Sequence, residues 1–468
     1  MMEPFRSHIF VCTQEKPEGV PSCSASASLH VLDAFRRELE SCGLANDVLL
    51  TTCGCLGACD HGPVVIVYPE GAWYSGVRPE DASEIVRSHI VSEKIVSRLV
   101  RSDTQVLKSE ILQHHEQYLA MIKAKDAAGV LPDNLNQLTR GFMSSRVVLT
   151  ALELDLFTAV NGGSGAEEVA AKIHGDPRAT EVLLNALVAL KLLNKQNGTF
   201  HNTPLTARFF AGGSPDNARP GLLHTANLWR RWSTLTECVR TGTAGPRDRD
   251  GEFVQAFIAA MDRNARERAQ AVVQAVGASG VRRILDLGGG SAAYSLAFAK
   301  ANPELTAEVL DLPDVIPLTR EYIRKAGLEG RVSARAGDML SEPFGTGFDL
   351  VLISAICHMF DPQQNRTLLR RALEALVPNG RVVVQDFILE PDKTAPSWAA
   401  LFSVNMLVGT RGGASYSEPE YADWLREAGF SETRRIRLPG PSGLMISTRP
   451  NSVEEPDAEL AGRGVKSL

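Results

Sequence analysis

The sequence predicts a multidomain α/β protein. Three observations carry this expectation. Between residues 250 and 448, short β-type runs alternate with helix-favouring segments, the pattern of a mainly parallel sheet covered by helices on both faces. The first of those runs, Arg283-Ile284-Leu285-Asp286-Leu287, meets three glycines, Gly288-Gly289-Gly290, and then a helix-favouring stretch over 292–300. Six of the eight cysteines fall within the first 59 residues, which sets the amino-terminal part of the chain apart.

The glycine turn is the centre of the chain's chemistry. A strand, a glycine turn and a helix N-terminus together make a nucleotide pocket at the carboxyl end of a parallel strand. Glycine allows this because no Cβ keeps the backbone from the ligand. The spelling departs from Gly-x-Gly-x-x-Gly: Gly288 and Gly290 fit, but Ala293 stands at the third position. Asp286, two residues before the first glycine, suits a cofactor with a positive amine better than a pyrophosphate. The next run, 306–310, ends in Asp311. That carboxylate comes about twenty residues after the glycines, the offset that reaches a ribose diol. An amine and a ribose together point to S-adenosylmethionine. Further strands are expected at 332–336, 349–353 and 381–387, with helices at 316–325, 362–376 and 418–428.

The bulk numbers narrow the class. A chain of 468 residues allows about three domains. With 44% hydrophobic and 22% charged residues it has an ordinary globular composition. A net charge of −6 gives no basis for a nucleic-acid partner. No apolar run approaches the length of a membrane span, and residues 1–15 lack the apolar centre of a signal peptide. The expectation is a cytoplasmic protein whose cysteines are free thiols or metal ligands, not disulfides. A glycosylation sequon at Asn365-Arg366-Thr367 has no use there.

Residues 1–102 form the first expected domain. A strand over 8–12 ends in Cys12, a Pro/Gly loop leads to Cys23, and a helix over 29–40 precedes a strand at 48–50. Then come Cys53, the run Cys55-Leu56-Gly57-Ala58-Cys59, and a strand over 64–68. The spacing is wrong for a zinc finger, and no histidine pair completes one. Nor is it the three-cysteine cradle of radical chemistry, because Cys59 is followed by Asp60, His61 and Gly62. The stretches Phe10-Val11-Cys12, Thr52-Cys53-Gly54-Cys55-Leu56-Gly57-Ala58-Cys59 and the run from Gly62 to Tyr74 resemble the thioredoxin-like 2Fe–2S ferredoxins. The resemblance implies a 2Fe–2S cluster held by Cys12, Cys23, Cys55 and Cys59. Cys42 then reads as a buried thiol, and Cys53 as the neighbour placed to substitute as a ligand.

Residues 103–134 read as a helical linker. Its pair His114-His115 is expected on a solvated face, since adjacent residues point to different sides of a helix. Residues 135–249 are mostly helical, with a hairpin expected around Asn197-Gly198, the order of a winged helix. The helix that would enter DNA is apolar (Val182, Leu183, Leu184, Leu187), whereas phosphate contact needs Lys and Arg. This domain is therefore read as a dimerisation surface, and the protein as a homodimer. Residues 250–448 form the α/β domain, and 449–468 a polar, disordered tail.

From about residue 135 to 448 the chain resembles the small-molecule O-methyltransferases that include the plant phenolic, acetylserotonin and hydroxyneurosporene enzymes. The resemblance rests on Leu149-Thr150-Ala151-Leu152-Glu153-Leu154-Asp155-Leu156-Phe157, Asp286-Leu287-Gly288-Gly289-Gly290, Asp311-Leu312-Pro313 and Gly337-Asp338-Met339. It continues through Ile356-Cys357-His358-Met359-Phe360-Asp361, Val377-Pro378-Asn379-Gly380-Arg381 and the stretch from Tyr421 to Phe430. It implies a Rossmann-like class I methyltransferase domain. Gly288 and Gly290 would shape the cofactor pocket, Asp311 hold the ribose hydroxyls, Asp338 and Met339 flank the adenine, and Asp286 sit near the methionine end. His358 would be the base, at a strand's carboxyl end where open α/β sheets bind ligands. Asp386 corresponds to a family acid that orients the base. Phe402, Asn405 and Met406 would line the acceptor pocket. There are departures: Ala292 replaces the family's last turn glycine, and Ser415 replaces a second acid.

Two functions follow. One is an S-adenosylmethionine-dependent O-methyltransferase acting on a small-molecule hydroxyl, fused to a redox domain that is a sensor or a relay for a redox partner. The other is a non-catalytic electron-transfer protein whose methyltransferase-like domain only binds a ligand.

Overall fold

The computed structural model describes residues 4–16, 20–24, 27–245 and 251–451. Residues 452–468, most of the expected tail, lie outside it, whereas Arg449 is fixed by its backbone N–H to the Gly380 carbonyl at 2.7 Å. The chain divides into two compact units, Met1–Phe142 and Met143–Leu468.

The first unit holds a four-stranded sheet in the order β2-β1-β3-β4: β1 (Ser7–Cys12), β2 (Val48–Cys53), β3 (Val65–Tyr68) and β4 (Ala72–Tyr74). β1 runs parallel to β2 and antiparallel to β3. The helix Ser28–Ser41 joins β1 to β2 and buries Val31, Leu32, Phe35 and Leu39 against the sheet. Each such side chain contributes roughly 1.5–3 kcal/mol. After β4, the helix Asp81–Glu84 continues into Ile85–Val91, and the chain then turns to bridge Val100 to Tyr74. A long helix, Thr104–Ala127, begins at Asp103, whose carboxylate accepts the N–H groups of Gln105 and Val106. Its Leu107 is buried among Cys12, Cys23, Ala58 and Val64.

The second unit opens with helices around a small core of Leu152, Phe157, Val169, Leu184, Leu187 and Phe200. The helices Phe142–Glu153 and Leu156–Ala159 are separate because Asp155 between them takes a left-handed conformation (φ 52°). The expected hairpin is β5 (Leu193–Gln196) and β6 (Thr199–Asn202), turned by Asn197 and Gly198, both at positive φ.

The large sheet has seven strands in the order β12-β13-β11-β10-β7-β8-β9. They are β7 (Arg283–Leu287), β8 (Thr306–Asp311), β9 (Val332–Ala336), β10 (Phe348–Ser354), β11 (Leu376–Asp386), β12 (Ser431–Arg437) and β13 (Gly443–Thr448). The first five are parallel, as the alternation predicted. The last two, which the sequence reading missed, add an antiparallel edge. Separate apolar cores lie on the two faces. From β7 the chain winds outward through β8 and β9, then returns to place β10 on β7's other side. That reversal opens a crevice at the carboxyl ends of β7 and β10.

Candidate functional site

The glycine turn leaves the end of β7 into that crevice. Gly288 donates its N–H to the Leu310 carbonyl at 2.7 Å and has φ +67°. A Cβ there would lie 2.3 Å from Ile356 Cδ1 and 3.1 Å from Met339 Cε, so only glycine fits. Gly290 donates its N–H to Asp311 Oδ2 at 2.8 Å, and Leu312 N–H reaches Asp311 Oδ1 at 2.7 Å. Two backbone donors thus fix the Asp311 carboxylate at the crevice.

The other expected cofactor residues divide. Met339 is buried and packs toward Gly288. Asp338 is exposed, and its Oδ1 accepts the Leu340 N–H of its own turn. Asp286 is fully buried: Oδ2 accepts the Ser295 hydroxyl at 2.7 Å, while Oδ1 has no hydrogen-bond partner. Burial pushes its carboxyl up to about 6. Ala292, at the lost glycine, is buried with φ 64°, so it holds the left-handed conformation that glycine would adopt. An open glycine backbone, a fixed ribose-type carboxylate and an orphaned buried carboxylate oxygen fit a nucleoside cofactor with an amine.

β10 and β11 supply the second half. Ser354 pairs with Gln385, so both strands end at one level. The turn Cys357–Met359 after β10 then sets His358 above Asp386, the last residue of β11. His358 Nδ1 lies 2.7 Å from Asp386 Oδ1, and His358 N–H reaches Oδ2 at 3.2 Å. The Phe387 N–H and the Tyr421 hydroxyl, at 2.8 and 3.1 Å, complete the carboxylate's partners. Burial works to raise the Asp386 carboxyl, but the charge and hydrogen bonds of His358 outweigh it and hold it below the usual range. Tyr421 was missed as a site residue because one tyrosine on a helix carries no motif.

Aromatic rings flank His358. Phe402 meets His358 edge-on at 4.8 Å, and Phe387 lies 4.3 Å from Phe402. Asn405 accepts the Trp232 indole N–H at 3.0 Å, and Met406 is buried on the same helix, Ser397–Gly409. Ser415 is buried, with its hydroxyl oxygen unpartnered.

The thiols of the first unit also converge. Cys12, Cys23 and Cys59 are buried and Cys55 is exposed, with 3.2 Å between the sulfurs of Cys55 and Cys59. The Cys23 thiol hydrogen-bonds Cys12 and Cys59, and this above all brings Cys12 down to about 6 and Cys59 to about 5. Cys23 itself is raised, first by its bond with Cys12. Gly62 has no room for a Cβ, which would sit 2.9 Å from Cys23 Sγ, and Gly57 N–H points to Cys55 Sγ at 3.4 Å. Four adjoining thiols with backbone closed around them fit a thiolate-ligated metal centre. Cys53 lies in β2 opposite Cys12, half-buried, and burial pushes its thiol up to about 11. His114 departs from the expected solvated face. It is half-buried, and its donor atom lies within 4.8 Å of those of Cys55 and Cys59. His115, its neighbour, is exposed.

Comparison with known proteins bears on the second unit. The O-methyltransferase domain family matches residues 238–431, and the O-methyltransferase dimerisation domain family matches 136–212. A 3-hydroxy-5-methyl-1-naphthoate 3-O-methyltransferase of Streptomyces sahachiroi is 36% identical, over 68% of this chain and 95% of that one. The tetracenomycin polyketide synthesis 8-O-methyl transferase of Streptomyces glaucescens is 31% identical, over 68% and 97%. PigF, a methyl transferase of Serratia solved with SAH, is 27% identical over 68% of this chain and 100% of its own, with a TM-score of 0.64. Among the described residues, no helix is long and apolar enough to cross a membrane.

Proposed function

Since this chain belongs to the S-adenosylmethionine-dependent O-methyltransferases with a dimerisation domain, we propose that it methylates a hydroxyl of an aromatic small molecule, with His358 as the base. The observation that carries the reading is the buried pair His358–Asp386 beside two phenylalanine rings. An inert binding domain, the non-catalytic alternative, has no need of such a pair.

S-adenosylmethionine supplies an electrophilic methyl group on a sulfonium. In this reading the backbone at Gly288 and Gly290, with Asp311, Asp338 and Met339, holds its nucleoside, and Asp286 lies toward its amine. Asp386 occupies His358 Nδ1, which leaves Nε2 to take the acceptor's proton. Bound there, the sulfonium would give its methyl group to the acceptor oxygen and leave as the thioether, and His358 Nε2 would take the hydroxyl proton. Asp386 stabilises the imidazolium so formed. Phe387 and Phe402 hold an aromatic ring in place, a positioning effect that serves an in-line displacement. The naphthoate and tetracenomycin activities in the relatives' names support an aromatic acceptor. The dimerisation domain supports a homodimer.

For residues 1–102 the proposal is a thioredoxin-like ferredoxin domain with a 2Fe–2S cluster on Cys12, Cys23, Cys55 and Cys59. The cluster would supply one-electron chemistry, in a cytoplasmic protein that meets a redox partner or senses redox state. The supporting observation is the convergence of four thiols. Residues 103–134 then connect it to the dimerisation domain (135–249) and the methyltransferase domain (250–448).

The test is release of S-adenosylhomocysteine from a panel of phenols and naphthols. Turnover by wild type that His358→Ala abolishes is expected. No turnover on any hydroxyl acceptor, or full activity in His358→Ala, overturns the assignment. Equal turnover with the cluster oxidised, reduced and absent overturns the sensor role.

A further inference from the structure

We propose that His114 is a metal-ligating residue of the amino-terminal thiolate centre, able to stand in for Cys55 as its fourth protein donor. The inference rests on the cluster reading above and concerns a residue outside the four cysteines.

The helix Thr104–Ala127 is docked where His114 lies. Leu107, Ile111, His114 and Tyr118 follow a four-three-four spacing, which puts them on one face. Leu107 is buried among Cys12, Cys23, Ala58 and Val64. Ile111 covers Gly57 so closely that a Cβ there would lie 2.7 Å from Ile111 Cγ2. Tyr118 lies under the Lys16 ammonium, 5.2 Å from the ring centre. Anchors on both sides thus hold the imidazole against the thiols.

The donor atoms of Cys55, Cys59 and His114 all lie within 4.8 Å of one another. A positive charge already sits among them: Lys16 Nζ donates to His114 Nε2 at 2.6 Å and to Cys59 Sγ at 3.3 Å. An Nε2 that accepts a hydrogen bond presents its lone pair there, with the ring proton on Nδ1. A lone pair shared with a cation beside a cysteine sulfur is what a metal would take. Imidazole is a competent ligand for iron, and histidine replaces cysteine on one iron in some 2Fe–2S centres.

Exposure selects Cys55 as the replaceable donor. It is the exposed member of the four, and it is beside His114. The exchange moves no electron. The Cys55 sulfur–metal bond breaks and its thiolate takes a proton from water. Lys16 gives up Nε2, and the Nε2 lone pair forms the new bond. A neutral ligand in place of an anionic one makes the centre more positive by one charge and easier to reduce.

The test compares full-length wild type, Cys55→Ala, His114→Ala and the double variant, purified without oxygen. Iron and acid-labile sulfide are counted, and the reduced centres are examined by pulsed electron paramagnetic resonance. Expected are most of the wild-type iron in each single variant, a strongly coupled nitrogen in Cys55→Ala, and roughly ten-fold less iron in the double variant. His114→Gln, which keeps a polar side chain on the helix, is expected to behave as His114→Ala when combined with Cys55→Ala. A Cys55→Ala protein without coupled nitrogen, or with no more iron than the double variant, overturns the assignment of His114 alone. A wild type that carries no iron and sulfide overturns the cluster reading and this one with it.

Discussion

His358 Nδ1 and Asp386 Oδ1 lie 2.7 Å apart, the first in the turn after β10 and the second the last residue of the adjacent parallel strand β11. The imidazole of His358 is therefore aimed by the register of the sheet, and the loop that carries it only completes the placement. Several measurable consequences follow from this arrangement.

Replacing His358 by alanine is expected to lower kcat by about 10²–10⁴, the usual worth of a general base. Asp386→Asn is expected to fall in the same range, because an amide N–H facing Nδ1 favours the wrong tautomer. Binding of S-adenosylmethionine, read by calorimetry, stays near wild type in both. Lost binding in either variant would show that the pair supports the fold and not the reaction.

Tyr421→Phe removes one hydrogen bond, at 3.1 Å, from a buried charged carboxylate. Such a bond is worth about 1.5–3 kcal/mol, of which part reaches the transition state. A drop in kcat of about ten-fold with unchanged KM for both substrates is expected. A change in KM alone would place Tyr421 in acceptor binding instead.

Gly288→Ala puts a methyl group 2.3 Å from Ile356 Cδ1 at a residue with φ +67°. Affinity for S-adenosylmethionine is expected to fall about ten-fold or more, since the turn must move. Ala292→Gly changes a residue already in the left-handed region and is expected to bind as wild type. Equal behaviour of the two variants would count against the turn as the cofactor's seat.

Asp286 ties stability to pH. Its folded carboxyl titrates at about 6, above the value near 4 of an unfolded chain. The folded state binds the proton more tightly, so stability falls as pH rises from about 4 to about 6, by roughly 3 kcal/mol in all. Asp286→Asn keeps an acceptor for Ser295 and carries no charge. Urea melts of the two proteins without ligand should diverge across that window, with the variant the more stable at pH 7. Parallel curves would mean that Asp286 is solvated in the folded protein.

The parts legible in the sequence were those with local signals. Five parallel strands showed as apolar runs between helices, and the turn at Gly288 showed as glycines after a strand. β12 gave no such signal, because it is an edge strand in which Arg434, Arg435 and Arg437 leave no alternating apolar run. β13 is buried, yet its run of Gly443 to Thr448 follows Pro439, Gly440 and Pro441, which read as the end of structure. His114 and Tyr421 escaped for another reason. Each acquires meaning only from a partner distant along the chain, Cys59 or Asp386, and periodicity carries no information about that. His114 also sits on a helix of mixed polarity, whose inward face is recognisable only once the cysteines beneath it are known.

The helix Ser397–Gly409 has a consequence for how this catalyst can diversify. Phe402, Asn405 and Met406 are carried there, whereas His358 sits in the turn after β10 and Asp386 ends β11. Under the proposed function, proton transfer and acceptor preference fall to separate stretches of chain, one at the ends of β10 and β11 and one on a helix. On that proposal, substitutions in the helix retune which acceptor enters while His358 and Asp386 keep their contact. A library randomised at those three positions is the natural place to breed new acceptor preferences from this scaffold.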